Sequence, residues 1–250
     1  MTFGLLLHLS GPLQSWGAHS TWGERDTHTH PTRSGLIGLI AAASGHQRHE
    51  PLAPYQPLQF TIRIDRPGRR LIDFHTVGGG RTREESVPLA GGGRRAEGKG
   101  TIVTNRHYLS DAAFTVAVTG PGTLLTGIAD ALRVPHWAPY LGRRACPAAT
   151  PLFFGAHTNA VQALHEEIPL HRSLNNKADP IEIEFVADER PPDDDVWADE
   201  IPDDPVTFHP DERAHRYRPA YRYRRNLPGH LCAGMGSDYL RAVAEVIKNG

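Results

Sequence analysis

The sequence predicts a mixed α+β fold, because strand patterns and helix patterns alternate along its first 155 residues. Three segments carry apolar residues that run together or alternate with polar ones, as strands do. Two segments repeat their apolar residues every three or four positions, as helices do. The order strand, helix, strand, strand, helix begins the ferredoxin-like split βαβ pattern, and a last strand is expected near residues 151–155.

The first predicted strand and helix flank a glycine-bounded loop. The apolar run of residues 3–9 predicts a buried strand, and the apolar face of residues 34–44 predicts a helix. Either Thr32 or Ser34 can cap the start of this helix, and Gly45 stands where a helix can end in the left-handed conformation.

The next three elements follow from simple periodicity. Residues 58–65 and 114–118 alternate apolar and polar or small side chains, which predicts two half-buried strands. Residues 123–133 have an apolar stripe and predict a second amphipathic helix. These elements complete a predicted first domain over residues 1–155.

A long insertion interrupts this domain at residues 75–108. It contains two glycine triplets and six basic residues, and it is too long for an ordinary connection. One hypothesis is a mobile basic loop that orders on RNA or on a partner. The alternative is a plain disordered insertion.

The remainder, residues 156–250, is predicted to be a smaller β-rich part. Residues 181–185 alternate and predict a strand, and residues 188–210 are acidic and proline-rich, which predicts a surface loop. Residues 213–225 contain six Arg and three Tyr in alternation that favours a strand, and residues 237–248 predict a terminal helix.

The net charge of −1 conceals a strong asymmetry. Residues 179–212 hold 14 acidic side chains and one basic one, so the rest of the chain holds 14 acidic and 26 basic side chains. A basic surface indicates a phosphate-bearing partner, although solvated arginines would give the same composition. No apolar run is long enough to span a bilayer, no signal peptide is recognisable, and two unpaired cysteines fit a reduced cytoplasmic setting.

Two places in the sequence could bind a nucleic-acid backbone. Tyr140 can stack on a base, Gly142 allows close approach, and the guanidinium groups of Arg143 and Arg144 can clamp phosphates. The alternative for the two arginines is a solvated surface turn. Arg33 stands where backbone amides at a helix start could bind an anion, and the alternative there is a simple capping turn.

The 15 histidines raise the question of metal binding or acid–base chemistry. The pairs at positions 28/30 and 46/49 have no Cys or carboxylate partner at ligand spacing, so no metal site is predicted. His75 and His107, the latter beside Arg106, are the candidates for acid–base cleavage of RNA.

Five segments together resemble the CasD family of type I-E CRISPR surveillance complexes. They are Gly11–Gly17, Pro31–Leu39, Asp73–Thr76, Tyr108–Phe114 and Tyr140–Pro147. They occur in the family's order and extend over about 155 residues. The resemblance implies an RRM-like RAMP fold in which the insertion is a thumb packed against a neighbouring subunit and the guide RNA.

The resemblance also implies a non-catalytic role. Such a subunit holds the 5′ handle of CRISPR RNA (crRNA), without a cofactor. It contacts the CasA and CasC subunits directly and CasB and CasE indirectly, and it meets target DNA only through the complex. The residues expected to contact RNA are Trp16, Arg33, Ser34, Gly35, His75, Arg106, His107, Tyr140, Gly142, Arg143 and Arg144. Two alternatives remain, a metal-independent endoribonuclease that processes precursor crRNA and a protein–protein scaffold.

Overall fold

The computed structural model describes residues 3–17, 23–89, 91–173, 179–192 and 195–249. Within these residues the chain forms two β-sheets and four α-helices. The helices are α1 (Arg33–Ala43), α2 (Gly122–Arg133), α3 (Ala160–Glu166) and α4 (Ser237–Asn249). The class is α+β, as the sequence predicts.

The larger sheet has seven antiparallel strands. These are β1 (Gly4–Ser10), β4 (Gln59–Arg66), β7 (Ala113–Thr119), β8 (Phe153–His157), β9 (Ile181–Ala187), β10 (Trp197–Thr207) and β11 (Ala214–Leu227). Their order across the sheet is β10-β11-β9-β4-β7-β1-β8. The first predicted βαββαβ run corresponds to β1, α1, β4, β7, α2 and β8, whose strands occupy neighbouring places.

Both faces of this sheet are covered. Leu5 and Leu7 of β1 pack into a core shared with α1 and α2, whereas Leu6 packs into a second core shared with α3 and α4. Every residue of β1 and of β7 is buried. This two-sided burial explains why β1 appears in the sequence as a continuous apolar run rather than as an alternation.

Helix α1 is buried on most of its surface because most of its residues are apolar or small. Thr32 is the N-cap and accepts a hydrogen bond from the Gly35 amide, which decides between the two predicted caps. Gly38 faces the ring of Phe208, and Gly45 ends the helix with φ +74°. The helix therefore lies close to several neighbouring segments.

The smaller sheet is formed by β2 (Leu13–Gln14), β3 (Glu24–Arg25), β5 (Arg69–Val77) and β6 (Ile102–Ser110). β5 and β6 pair over nine residues as an antiparallel hairpin, and β2 and β3 lie along the other edge of β6. The expectation of a loop over the whole of residues 75–108 therefore needs correction, since residues 75–77 and 102–108 are strand. Both faces of β5 are largely exposed, so only a short alternation over residues 72–75 marks it in the sequence.

The connection between β5 and β6, residues 78–101, has internal structure of its own. Ser86 is buried, and its hydroxyl lies 2.8 Å from the carbonyl oxygens of both Arg83 and Arg95. The Arg94 guanidinium donates to the Ser86 carbonyl at 2.6 Å, and Pro88 and Arg94 form a β-bridge. We call residues 78–101 the hairpin tip. Mobility of the tip in the free chain stays a prediction.

The acidic segment also differs from its expected form. Residues 197–207, expected within a surface loop over 188–210, form the strand β10, which pairs with the arginine-rich strand β11. Opposite charges meet across the two strands, as in the pair Arg218–Asp203 at 2.7 Å. Arg216–Asp204 is a second pair between β10 and β11. On the other side of β11, Arg222 pairs with Glu184 and Arg224 with Glu182 of β9, and Arg218 also pairs with Asp188, which follows β9. Cross-strand pairing of opposite charges favours the strand over the loop.

The larger sheet is continuous across residue 155. β8 lies at one edge, and the strands that follow residue 155 join the opposite side of the sheet through β9 and β4. A division into domains at residue 155 stays a prediction.

Candidate nucleic-acid interface

The predicted site residues of the smaller sheet lie on two different faces. Arg106 lies opposite Asp73 on β5 and beside Arg25 on β3, and His75 lies opposite Thr104. Because residues opposite each other in a sheet share a face, the side chains of Arg25, Asp73, His75 and Arg106 occupy one face. The Asp73 carboxylate lies 3.3 Å from the His75 ring.

His107 lies on the other face of the same sheet, since successive strand residues alternate. Its Nε2 atom is 3.0 Å from the Glu24 carboxylate, and the Asn105 amide donates to that carboxylate at 2.6 Å. Hydrogen bonds from Asn105 and His107 lower the pKa of Glu24. The structure therefore does not bring His75 and His107 together, and it does not place Arg106 on the same face as His107.

A tight loop over residues 140–147 lies against the root of the hairpin. Leu141 is buried, its amide donates to the Cys146 carbonyl, and its own carbonyl accepts from the Ser15 amide. Gly142 has φ +85°, and a Cβ atom there would stand 1.7 Å from the Ser15 carbonyl oxygen. Only glycine fits this position, so the predicted need for close approach is met by the protein's own backbone.

Arg143 points into the protein rather than away from it. Its guanidinium donates to the carbonyl oxygens of His107 at 3.2 Å, Arg25 at 2.8 Å and Asp26 at 3.4 Å. The same group lies over the Tyr108 ring, 4.8 Å from its centroid. Backbone carbonyls therefore engage three of the five N–H donors of Arg143, and its predicted clamp on a phosphate stays a prediction.

Arg144 and Tyr140 remain at the surface of this loop. Arg144 is exposed, and among the described residues it makes no hydrogen bond or ion pair. Tyr140 is half-buried and forms a β-bridge with Pro147. Both keep the capacity to contact RNA.

Arg33 was expected to contact RNA, and the structure instead buries it in an ion-pair network. Its guanidinium lies 2.6 Å from the Asp188 carboxylate and 3.0 Å from that of Asp204, and it donates to the Leu58 carbonyl. Its backbone amide donates to the Asp203 carboxylate at 2.7 Å. An anion does lie at the start of α1, but it belongs to the protein.

Of the remaining predicted contacts near α1, Trp16 and Ser34 are buried and Gly35 is half-buried. Trp16 is only 1% exposed and donates its indole N–H to the Gln14 side chain. A Cβ atom on Gly35 would stand 2.7 Å from the Trp16 ring, so glycine is needed there for packing. The Ser34 hydroxyl is hydrogen-bonded to His215. Trp16, Ser34 and Gly35 therefore have packing and hydrogen-bonding roles inside the protein, and their contact with RNA stays a prediction.

An exposed apolar face of the hairpin escaped the sequence analysis. Phe74 is 69% exposed, Ile72 62% and Val103 47%. Their pairing places all three on the face that carries His107. In the sequence, the apolar Ile72 and Phe74 alternate with the polar Asp73 and His75, and this short alternation indicates the face.

Two negative findings concern other functions. Across the described part of the chain, no group of three or more His, Cys, Asp and Glu side chains is arranged to hold a metal ion. None of the helices in that part is both long and apolar enough to cross a membrane.

Comparison with known proteins gives consistent matches. The family described as CRISPR-associated protein (Cas_Cas5) matches residues 4–223. The CRISPR system Cascade subunit CasD of Escherichia coli (strain K12) is 41% identical over 165 residues, covering 60% of this chain and 70% of the relative.

Solved structures are similar over almost the full length. A chain of a CRISPR RNA-guided surveillance complex has a TM-score of 0.86 at 45% identity, covering 98% of this chain and 99% of the other. A crystal structure of a Cas protein has a TM-score of 0.62 at 25% identity, covering 93% of this chain and 98% of the other.

Proposed function

Because the chain belongs to the CRISPR-associated Cas5 family, we propose that it binds crRNA as the CasD-like subunit of a Cascade surveillance complex. The observation that carries this proposal is the likeness to a chain of such a complex along nearly the full length of both proteins. The 41% identity to the E. coli CasD subunit supports the same assignment.

The fold proposed for this role is a ferredoxin-like, RAMP-type unit with a thumb. The strand order β4-β7-β1-β8, with α1 and α2 on one face, supports the ferredoxin-like assignment. The β5–β6 hairpin, which spans the predicted insertion, supports the assignment of a thumb. Over residues 69–110 it holds eight basic and four acidic side chains.

The 5′ handle of crRNA is the proposed ligand, and the root of the hairpin is its proposed site. Arg25, Arg106 and His75 offer donors on one face of the smaller sheet, and Arg144 lies on the adjacent loop. Arginines contact phosphate oxygens, and Tyr140 offers a ring on which a splayed base can stack. His107 lies on the opposite face of the smaller sheet and contacts RNA only if the RNA strand wraps around the hairpin.

Partner subunits are assigned to other surfaces. The apolar face formed by Ile72, Phe74 and Val103 is proposed to pack against the backbone subunit CasC. Contact with the large subunit CasA, indirect contact with CasB and CasE, and access to target DNA through the complex follow from the same assignment. A cytoplasmic location follows as well.

We further propose that the chain does not cut RNA. Acid–base cleavage needs two suitable groups around one phosphate, and the two candidate histidines lie on opposite faces of the smaller sheet. The ribonuclease alternative would have to use His75 with Asp73, whose carboxylate lies 3.3 Å from the His75 ring on the RNA-facing side.

One experiment separates the proposed function from its alternatives. The purified full chain, free of CasE, is incubated in chelator with labelled repeat RNA and with precursor RNA. We expect a stable complex with intact RNA. Site-specific cleavage that disappears in His75→Ala or His107→Ala would establish the ribonuclease, and complete lack of RNA binding would favour a scaffold.

A further inference from the structure

The guanidinium of Arg143 joins three segments that are distant in sequence. It lies on the 140–147 loop and donates to carbonyls of β3 and of the residue that follows it, as well as to a carbonyl of β6. Three of its five N–H donors are engaged by these bonds. Its planar face covers the buried ring of Tyr108.

The two neighbouring arginines therefore have opposite surroundings. The Arg143 donors are directed at backbone oxygens, whereas the Arg144 side chain is exposed and unpaired among the described residues. A guanidinium that leaves three carbonyls to bind a phosphate would uncouple β3 from the loop. Binding through Arg143 would thus disrupt the surface that RNA must meet.

We infer that Arg143 is a positioning residue, which holds Arg144 and strand β3 at the RNA surface without contacting RNA itself. This inference rests on the RNA-binding function proposed above. It divides the Arg143–Arg144 pair into one arginine that acts inside the protein and one that acts on the ligand. Arg143 needs the planar guanidinium to reach several carbonyl oxygens at once, whereas Arg144 needs only a positive charge to contact phosphate.

A double-mutant cycle tests the inference. The full chain, the variants Arg143→Lys, Arg143→Ala and Arg144→Ala, and the double variant Arg143→Lys/Arg144→Ala are titrated with the RNA that co-purifies with the wild-type protein, at several salt concentrations. Arg143→Lys keeps the charge but loses the fork that spans β3 and β6. All titrations are made at a temperature well below the thermal unfolding midpoint of every variant.

We expect Arg144→Ala to lower the slope of log affinity against log salt by about one. Arg143→Lys is expected to lower affinity and slope similarly, because Arg144 is no longer held in place. The double variant is expected to bind within about twofold of the weaker single variant, because the two residues act through one contact. Tyr108→Leu, which removes the ring under the guanidinium, should reproduce the effect of Arg143→Lys.

Three outcomes would overturn the inference. Wild-type affinity in Arg143→Lys with weak binding in Arg143→Ala would show that the charge of Arg143 contacts RNA directly. If the RNA affinity of the double variant fell by the product of the two single-variant losses, Arg143 would not act through Arg144. A lowered unfolding midpoint with unchanged RNA affinity would show a purely structural role. If the wild-type chain binds no RNA at all, the proposed function itself fails.

Discussion

Gly142 occupies a position that admits no other residue. Its φ of +85° is unfavourable for a side chain, and a Cβ atom would collide with the Ser15 carbonyl oxygen. We expect Gly142→Ala to lower the free energy of unfolding by more than about 1–2 kcal/mol, the cost of the left-handed conformation alone. Thermal unfolding followed by circular dichroism measures this change.

Gly127 provides the matched control for that substitution. It is exposed on α2, and a Cβ atom there would meet no neighbouring atom within 4 Å. Gly127→Ala should therefore leave stability unchanged or raise it by up to about 1 kcal/mol. Equal unfolding midpoints for Gly142→Ala and the wild-type chain would contradict the close approach described for the 140–147 loop.

Arg33 illustrates how far sequence can define a site. Its position before a predicted helix correctly indicated an anion at the helix start. The anion proved to be Asp203, which is 170 residues away in sequence. Local patterns predict which chemistry a residue can perform, whereas the identity of its partner depends on the tertiary fold. The same limit applies to Arg143 and Trp16.

Arg33→Ala is expected to destabilise the chain by about 3–5 kcal/mol, because it leaves buried carboxylates without their cation. In chemical denaturation the midpoint should fall strongly, while the folded variant should keep its RNA affinity. Arg241→Ala, at an exposed position on α4, is the control and should change stability by less than about 0.5 kcal/mol. A stable Arg33→Ala variant with weakened RNA binding would restore Arg33 to the RNA site.

Buried histidines make stability depend on pH. Burial lowers the pKa of His8 to about 3 and that of His171 to about 4, and their rings are hydrogen-bonded at 2.9 Å. Between these values and the ordinary histidine pKa of about 6.5 the unfolded chain binds more protons than the folded one. The free energy of unfolding should therefore fall as pH drops below about 6.5.

Denaturation midpoints at pH 7.5 and pH 5 measure this effect. The loss of stability at pH 5 should be smaller in His171→Gln than in the wild-type chain, and unchanged in His49→Gln, where the histidine is exposed. The same pH dependence in His171→Gln as in the wild-type chain would rule out His171 as a contributor.

At the scale of elements, the predictable parts are those with a regular apolar pattern. Strands β1, β4 and β7 and helices α1, α2 and α4 appear close to their predicted bounds. β10 was missed because its prolines and carboxylates resemble a loop. It is an edge strand, where proline is tolerated, and its charges are balanced by arginines of β11. The hairpin was missed because its stability comes from the ladder between β5 and β6 rather than from a buried face.

The hairpin tip is expected to be dispensable for folding. Replacing residues 79–100 by an Asn-Gly turn leaves the nine-residue ladder of β5 and β6 intact. The unfolding midpoint should change by only a few degrees. RNA affinity and its salt dependence should fall, because the tip contributes five basic and three acidic side chains.

Two measurements check this prediction. Thermal unfolding reports the fold, and RNA titration at several salt concentrations reports the interface. A shortened chain that fails to fold would show that the tip supports the sheet. A shortened chain with full affinity and the full salt slope would remove the tip from the RNA-binding surface.

At the scale of the molecule, residues on both sides of position 155 complete one sheet and one ion-pair network. β4 pairs with β9, and Arg33 pairs with Asp188 and Asp204. A chain that ends at residue 158 would expose an edge of β4 and leave Arg33 without these partners. We expect this fragment to show no cooperative thermal transition, whereas the full chain unfolds in one.

Near-UV and far-UV circular dichroism of the fragment and of the full chain test this expectation. Thermal transitions of the full chain that coincide in the near-UV and the far-UV would indicate a single cooperative unit. A fragment that melts cooperatively near the midpoint of the full chain would establish residues 1–155 as an independent domain.

The charge pairs between β10 and β11 have a consequence for how this protein finds its ligand. Arginines of β11 are matched by carboxylates of β9, of β10 and of Asp188, which follows β9, whereas the hairpin keeps a surplus of positive charge. A nearly neutral molecule that keeps such a surplus in one segment has a dipole moment. Its field turns an approaching polyanion towards the hairpin before contact. Diffusional encounters are thereby oriented, and the remaining surface offers little to hold unrelated nucleic acid.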